Sequence, residues 1–327
     1  MTGKSRFIIA SIALLVLISA ASAQVSNHKP NVQREVAVTF DDLPAPKSGV
    51  PSDDVGTLRE LTGKLLESFM AHKVPVVGFV NEGKIDEQKD AEARTELLKM
   101  WLDAGMELGN HTFSHPAFQR TPLEEYEQNL IRGETLLKLL LKERGQTLRY
   151  FRHPFLQVGP NLKTRREFEK FLVARGYRIA PVTVDGDDYM FAAIYARAKA
   201  RGDKEAMQQV AQAYLKHMDD VFDFSEKAST DLNGYEIRQV LLLHANALNA
   251  DYFDDLASMM KNRGYKFITL DQALQDKAYG QRDDYFGEYG ATWLHHWAKT
   301  RHLTIRNEPP VPEFVLKQWE EITRQSE

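Results

Sequence analysis

The sequence contains no cysteine, so disulfide bridges, thiolate nucleophiles and thiolate metal ligands are all excluded. The fold must therefore be stabilised by packing, and a chain of 327 residues is long enough to bury a sizeable core. Any metal site in such a chain has to be built from histidine and carboxylate side chains.

The sequence also lacks an excess of positive charge. It has 42 lysine and arginine residues against 46 aspartate and glutamate residues, which gives a formal net charge of -4. A broad nucleic-acid interface needs clustered positive charge, so we expect no nucleic-acid partner.

Long apolar runs are scarce, and the longest is FIIASIALLVLISA at residues 7–20. It follows the basic residues Lys4 and Arg6, precedes Ala21-Ser22-Ala23, and is shorter than the roughly 20 residues that span a bilayer. This pattern predicts a cleaved secretory signal peptide at 1–23, followed by a polar leader at 24–35. We expect a periplasmic or extracellular protein without a stable membrane anchor after cleavage.

Short apolar runs of strand character alternate with helical stripes along most of the remaining chain. The predicted strands lie at 36–40, 76–80, 106–109, 148–152, 177–184, 240–244 and 265–270. Helical stripes lie at 55–73, 91–104, 121–144, 163–175 and 252–263. This alternation predicts one parallel α/β domain over 36–275, and a barrel with functional residues at the strand ends fits the strand count.

Two segments depart from this alternation. Residues 190–233 are long, charged and helical, which predicts a helical insertion on the rim of the barrel. Residues 276–327 are rich in aromatic residues and carry the prolines Pro309, Pro310 and Pro312, and we expect this C-terminal extension to pack back on the domain.

The first predicted strand ends in two adjacent carboxylates, Asp41 and Asp42, in the stretch VAVTFDDLPAP. Like charges side by side repel each other and add little to a core, so their presence indicates a functional role. Successive residues of a strand point to opposite faces. Both carboxylates can share one site only where the chain leaves strand geometry, which we expect Leu43-Pro44 to enforce.

A second cluster, GNHTFSHP, places His111 and His115 four residues apart after another predicted strand. This spacing predicts both imidazoles on one face of a helical turn, close enough to share a metal ion. Two histidines and one aspartate leave coordination positions open for water, as in catalytic zinc sites. The pair of aspartates would then supply one metal ligand and one base.

Polar or charged residues also lie at the ends of three further predicted strands. Arg152 in RYFRHPF is placed to orient a buried carboxylate, and Phe155 offers the first backbone N–H after Pro154 as an oxyanion donor. The stretch VTVDGDDYMF closes a strand with three carboxylates. His244 ends the run VLLLH and becomes a general acid if an aspartate from a neighbouring strand end pairs with it.

Five motifs occur in an order that resembles the polysaccharide deacetylase family, the family 4 carbohydrate esterases with a NodB-homology domain. They are TFDD at 39–42, HTFSH at 111–115, RHPF at 152–155, DGDDY at 185–189 and LLLH at 241–244. The resemblance implies a distorted (β/α) barrel of about seven parallel strands. It also implies metal-dependent removal of N-acetyl, or O-acetyl, groups from an acetylated carbohydrate.

The resemblance also implies individual roles. Asp41 would be the base, held by Arg152, and His244 would be the acid, tuned by Asp188. The metal ligands would be Asp42, His111 and His115, and the substrate and oxyanion contacts would come from Phe155, Leu242 and Tyr189. Tyr189 stands where the family usually has tryptophan, and Asp185 and Asp187 remain rival partners for His244.

Zinc is the default metal, although two imidazoles and a carboxylate also accept cobalt, nickel or manganese. Two other functions remain open. One is hydrolysis of a non-sugar amide or cyclic imide on the same fold, and the other is carbohydrate binding without turnover. Because the base, the acid, the arginine and all three ligands are present, an inactive protein is the least favoured reading.

Overall fold

Eight parallel strands form one sheet in the computed structural model, which describes residues 34–325. The strands are β1 Arg34–Leu43, β2 Val76–Val80, β3 Glu107–Asn110, β4 Tyr150–Phe151, β5 Arg178–Ile179, β6 Val184–Asp185, β7 Gln239–His244 and β8 Tyr265–Phe267. Their order is β5-β4-β3-β2-β1-β7-β6, with β8 paired to the beginning of β1. The prediction of a distorted barrel of about seven parallel strands is confirmed.

The predicted strand at 177–184 is two strands, β5 and β6, which lie at opposite edges of the sheet. Pro181 interrupts the run, because proline has no backbone N–H to donate to a ladder. Residues 180–183 therefore carry the chain from one edge of the sheet to the other, where Thr183 N–H donates to Val240 O at 2.9 Å.

Helices cover the sheet. They are α1 Val55–His72, α2 Gly83–Asp86, α3 Ala91–Asp103, α4 Leu123–Arg132, α5 Thr135–Lys142, α6 Leu162–Ala174, α7 Asp188–Ala200, α8 Lys204–Asn233, α9 Ala247–Asn262, α10 Leu270–Ala273, α11 Trp293–Thr300 and α12 Glu313–Arg324. The apolar stripe of α1 is buried as its period predicts, and Phe69 packs on Phe40 with ring centroids 5.0 Å apart. Asp54 begins this helix by accepting a hydrogen bond from Thr57 N–H at 2.9 Å.

The predicted helix at 121–144 is broken into α4 and α5 at Gly133. A Cβ at this position would lie 2.6 Å from the backbone carbon of Thr112, so only glycine allows the approach. The break seats the loop that carries His111 and His115 against the end of α4, where Asn129 accepts hydrogen bonds from Phe113 N–H and Ser114 N–H.

The helical segment at 190–233 corresponds to α7 and α8, which connect β6 to β7. Its apolar faces are not confined to the rim, since Phe191, Tyr214 and Phe222 are fully buried in the main core. Most charged residues of the same helices are partly or fully exposed, while Glu226 is buried.

The C-terminal extension packs back on the domain. Trp293 N–H donates to Val182 O at 2.7 Å, and both Trp293 and Trp297 are buried in an apolar cluster with residues of α8. Arg165 on α6 makes two hydrogen bonds to Asp283, at 2.9 and 2.7 Å. The extension is therefore a fixed part of the structure around the sheet.

The predicted signal peptide and nearly all of the predicted leader lie outside the described residues. Within residues 34–325, every helix is too short or too polar to cross a bilayer.

Replacing Trp297 with alanine should lower the free energy of unfolding by about 3–5 kcal/mol, because a fully buried indole is removed and a cavity remains. Urea unfolding measures the change. The matched control is Leu303→Ala, an exposed position just beyond the same helix, which should cost within about 0.5 kcal/mol. Equal losses for the two variants would mean that the extension does not depend on this anchor.

Candidate active site

The residues singled out in the sequence converge at the carboxyl ends of the parallel strands. Asp41 and Asp42 end β1, His111 follows β3, Arg152 follows β4, and His244 ends β7. Most of them line one cavity of about 960 Å³, and the exceptions are Arg152 and Asp188, which are buried beside Asp41 and His244 respectively. A cavity of this size accommodates a ligand of several ring systems.

Asp42, His111 and His115 form a group suited to hold a metal ion, with one ligand atom from each lying within 4.8 Å of the others. His111 Nδ1 lies 2.9 Å from the carbonyl oxygen of Arg152, which leaves Nε2 for the metal. His115 Nε2 lies 3.7 Å from Asp42 Oδ1, and the two imidazole rings are 4.8 Å apart. The structure thus brings together the three ligands predicted from sequence.

The electrostatics of this group fit a divalent cation. Burial lowers the pKa of His115 to about 4 and holds the pKa of His111 well below its usual value, so both rings are neutral and able to bind metal. Asp42 Oδ1 is buried and accepts no hydrogen bond, although Lys84 Nζ lies 3.0 Å away as an ion pair. Burial disfavours the Asp42 carboxylate, but nearby positive charge, chiefly that of Lys84, outweighs burial and holds the pKa of Asp42 well below its usual value.

Both aspartates reach the cavity because of a bulge inside β1. The register against β2 shifts between Phe40 and Leu43, and Asp42 adopts a left-handed backbone with φ of 71°. The chain leaves strand geometry here as expected, and the left-handed residue is Asp42, directly before Leu43-Pro44. A left-handed aspartate is costly, and such strain typically persists where the surrounding structure fixes it.

The two histidines are not on a helical turn, so the expectation of a helical turn is wrong. Residues 111–116 form an irregular bend in which Thr112 and His115 have φ values of 67° and 58°. Side chains hold the bend, since Asn110 Oδ1 accepts from Thr112 N–H at 2.7 Å and Thr112 Oγ1 accepts from His115 N–H at 3.1 Å. Two left-handed residues reverse the chain, and this reversal brings the imidazoles together.

Asp41 is buried and paired with Arg152, whose Nη1 lies 3.3 and 3.2 Å from the two carboxylate oxygens. The fully buried guanidinium also donates to Thr39 Oγ1 at 2.9 Å and to Ala180 O at 2.8 Å. Burial raises the pKa of Asp41 to about 6, and Arg152 limits the rise. Asp41 is therefore a held carboxylate with a proton affinity suited to a general base.

His244 pairs with Asp188, and Nδ1 of the ring lies 2.6 Å from Asp188 Oδ1. The other oxygen of Asp188 accepts from His244 N–H and from the side-chain amides of Asn246 and Asn249. Burial opposes the charged ring, but Asp188 outweighs it and raises the pKa of His244 to about 10. The imidazole is thus protonated near neutral pH and can give up a proton.

The rival partners for His244, Asp185 and Asp187, line the cavity instead. Asp187 N–H donates to Asp185 Oδ1 at 3.3 Å, and Asp187 has a left-handed φ of 50°. Burial and the neighbouring Asp187 carboxylate raise the pKa of Asp185. Of the three carboxylates in DGDDY, Asp188 is the one that contacts the histidine.

The three residues assigned to substrate and oxyanion contacts also line the cavity. Phe155 lies in a short 3-10 turn with φ of 54°, and its ring meets His115 edge-on at 4.3 Å. Leu242 packs with Leu156 and Val182 as a small apolar cluster. The ring of Tyr189 lies 6.3 Å from His244 and is backed by Trp319 of α12 at 5.3 Å.

Sequence reasoning missed several cavity residues. Lys84 follows β2 and contacts Asp42, and its place just after a predicted strand was the available signal. The C-terminal extension contributes Gly290, His295 and Glu308, and no motif marked any of them. Thr292 Oγ1 lies 2.9 Å from His295 Nδ1, which fixes this ring in the cavity wall.

Comparison with known proteins finds a family model that matches part of the chain. Residues 28–171 match the family model described as polysaccharide deacetylase. The curated peptidoglycan-N-acetylglucosamine deacetylase of Bacillus cereus is 27% identical over 146 residues, which is 45% of this chain and 45% of the relative. The match therefore spans less than half of that relative's length. The resemblance drawn from the five motifs is confirmed.

Several solved structures align with this chain. A mutant of a family 4 carbohydrate esterase pseudoenzyme aligns with a TM-score of 0.50 at 18% identity, covering 75% of this chain and 68% of the other. The wild-type form of that pseudoenzyme is from Bacillus anthracis. A polysaccharide deacetylase from Bacillus cereus aligns with a TM-score of 0.48 at 19% identity, covering 72% of this chain and 91% of the other.

His115→Ala should abolish tight zinc binding, because it removes one of three ligands and leaves a site too sparse to hold the ion. In the unaltered protein, zinc at 100 times its Kd should add about 2.7 kcal/mol to the free energy of unfolding. Zinc content after dialysis and the shift in melting temperature on adding zinc measure both effects. His72→Ala, which replaces a histidine outside the cavity, is the control and should keep both. Retention of zinc and of the melting shift by His115→Ala would remove this residue from the ligand set.

Proposed function

From the match of residues 28–171 to the polysaccharide deacetylase family model, we propose that this chain is a metal-dependent hydrolase of acetylated carbohydrate. The bond that it cleaves is the amide of an N-acetyl group, or the ester of an O-acetyl group. The observation that supports the proposal best is the convergence of three units on one cavity. These units are the Asp41–Arg152 pair, the Asp42–His111–His115 group and the His244–Asp188 pair.

Asp42, His111 and His115 would hold the metal, and their donor set suits zinc. When bound, a divalent cation supplies Lewis acidity toward the acetyl carbonyl and lowers the pKa of water in the site. Lys84, beside Asp42, keeps that carboxylate charged and available as a ligand.

Asp41 acts as the general base. It accepts a proton from the attacking water, and Arg152 holds both of its oxygens so that the carboxylate cannot turn away. Two adjacent aspartates thereby take different roles, because their surroundings push their pKa values in opposite directions.

Other residues that line the cavity would contact the acetyl carbonyl and the leaving group. Phe155 offers its backbone N–H to the oxygen that becomes negative in the tetrahedral intermediate. His244 donates its proton to the leaving nitrogen or oxygen and is recharged from solvent, while Asp188 keeps it protonated. Leu242, Leu156 and Val182 provide an apolar surface for the acetyl methyl group.

We propose export through the predicted signal peptide, so that the substrate is a glycan outside the cytoplasm. The relative from Bacillus cereus is named for peptidoglycan N-acetylglucosamine, and that substrate class is the first to test here. A panel of acetylated glycans compared with non-sugar amides and cyclic imides separates the main proposal from the alternative hydrolase. Acetate release that stops with a chelator and returns with zinc supports the deacetylase. Sugar binding without acetate release supports an inactive binding protein.

Asp41→Asn should reduce acetate release by about 10²–10⁴-fold, because the amide cannot take the proton from water. Zinc content should stay as in the unaltered protein, since Asp41 is not in the ligand set. Acetate release and metal analysis on the same samples make the test. A rate near that of the unaltered protein would assign the base to another residue.

The fall of kcat/KM at high pH, the alkaline limb of the pH–rate profile, should reflect loss of the proton of His244. As an acid it must be protonated, so kcat/KM should fall as the pH rises through the pKa of about 10. Asp188→Asn removes the charge that raises this pKa, and the limb should move toward about 6.5, the value of an unperturbed histidine. Asp187→Asn, which alters a cavity carboxylate not bonded to His244, is the matched control and should move the limb less. An unmoved limb in Asp188→Asn would show that another group sets it.

A further inference from the structure

Three aromatic side chains are exposed in the part of the chain that the structure describes, and they lie in two neighbouring segments. Phe155 is 55% exposed, Phe286 is 47% exposed and Tyr289 is 74% exposed. The other large exposed apolar residues between 34 and 325 are aliphatic or methionine. Exposed aromatic rings grouped at one place typically mark a binding surface.

The loop at 285–290 that carries Phe286 and Tyr289 is braced from several sides. Arg165 Nη1 donates to Tyr285 O at 2.6 Å, and the Tyr285 ring stacks on His296 with centroids 4.1 Å apart. Gln119 donates its side-chain amide to Gly287 O, and Tyr285 Oη donates to Tyr289 O at 2.9 Å. The rings of Phe286 and Tyr289 are therefore exposed on a loop whose backbone is fixed by hydrogen bonds.

This loop is continuous with the cavity. Gly290 follows Tyr289 directly and lines the cavity together with Phe155, Ala291 and Thr292. The backbones of Gly290 and Phe155 touch so closely that a Cβ on Gly290 would lie 1.7 Å from Phe155 O. The rings of Tyr289 and Phe155 thus belong to adjoining backbone segments at the edge of the proposed site.

We propose that Phe155, Phe286 and Tyr289 form a carbohydrate-binding platform, which binds sugar rings next to the acetylated unit in the cavity. A pyranose ring has one face of C–H groups and a rim of hydroxyls, and a flat aromatic ring covers the C–H face while the hydroxyls stay in water. The platform selects a glycan chain over a single sugar or a small amide. This inference rests on the proposed function and adds a preference for longer glycan substrates.

The occupant is a glycan because the platform continues a cavity that already holds the groups for deacetylation. Two of the three rings come from the C-terminal extension, outside the residues 28–171 that match the family model. The preference for chain length is accordingly a property of this chain's own extension.

The test compares the pentamer and the dimer of β-1,4-linked N-acetylglucosamine as substrates. The unaltered protein should have a higher kcat/KM for the pentamer, and Tyr289→Ala and Phe286→Ala should each reduce the pentamer-to-dimer ratio about 3–10-fold, as expected for one aromatic contact. Tyr289→Phe, which keeps the ring, should retain the ratio. Leu139→Ala, which removes an exposed apolar side chain on α5, is the matched control and should also retain it.

Binding measured without turnover keeps the platform separable from the proposed function. On the Asp41→Asn background, calorimetric titration with the pentamer should give a Kd that Tyr289→Ala weakens by about 3–10-fold. If the unaltered protein released no acetate from either oligomer, the proposed function would fail, and this titration would still decide the platform. Equal pentamer binding with and without Tyr289, or no preference of the unaltered protein for the pentamer, overturns the platform and leaves the rings to a protein partner.

Discussion

The buried contact between Arg152 and Asp41 is the constraint on which the rest of the site depends. The guanidinium is fully buried and bonds Asp41, Thr39 and Ala180, so one side chain ties together β1 and the crossing segment after β5. The backbone carbonyl of the same residue orients His111. Breaking a buried ion pair costs about 3–5 kcal/mol, because the remaining charge has no partner. Arg152 therefore fixes the proposed base, Asp41, and a proposed metal ligand, His111, at once.

The division of labour between Asp41 and Asp42 is a consequence of backbone geometry. Neighbouring residues in a regular strand cannot face one cavity, and the left-handed turn at Asp42 is what lets both do so. One carboxylate then lies against Arg152 in a buried place, and the other lies against Lys84 and the histidines. The strain at Asp42 is held by the sheet on either side, since β1 pairs with β2 and β7 along this stretch. The turn at Asp42 therefore gives two identical side chains different neighbours, and their pKa values differ as a result.

The sequence predicted the fold and the members of the site because both leave periodic or ordered traces. Apolar runs with period 2, helical stripes and polar residues at strand ends indicated the parallel sheet and the edge where the site lies. The local geometry left no such trace. The split of the strand around Pro181 needed knowledge of which strands pair, and the bend at Thr112 and His115 arises from side-chain contacts with Asn110 and Asn129. The spacing alone suggested a helical turn there. A sequence with two histidines four residues apart is the same whether the backbone forms a helical turn or the irregular bend that is observed.

The packing of the C-terminal extension on the domain was predicted, but its contribution to the cavity was not, and the reason is different. It reaches the cavity through backbone contacts, such as Trp293 N–H to Val182 O and the close approach of Gly290 to Phe155, and backbone contacts impose little on residue type beyond the glycine. A segment recruited in this way can change without disturbing the five motifs. The chemistry of the site is therefore set by the sheet, while the shape of its outer wall is set by a part of the chain that the motifs do not constrain. In the proposed function such a wall would control substrate length, because residues at the strand ends would handle the acetyl group.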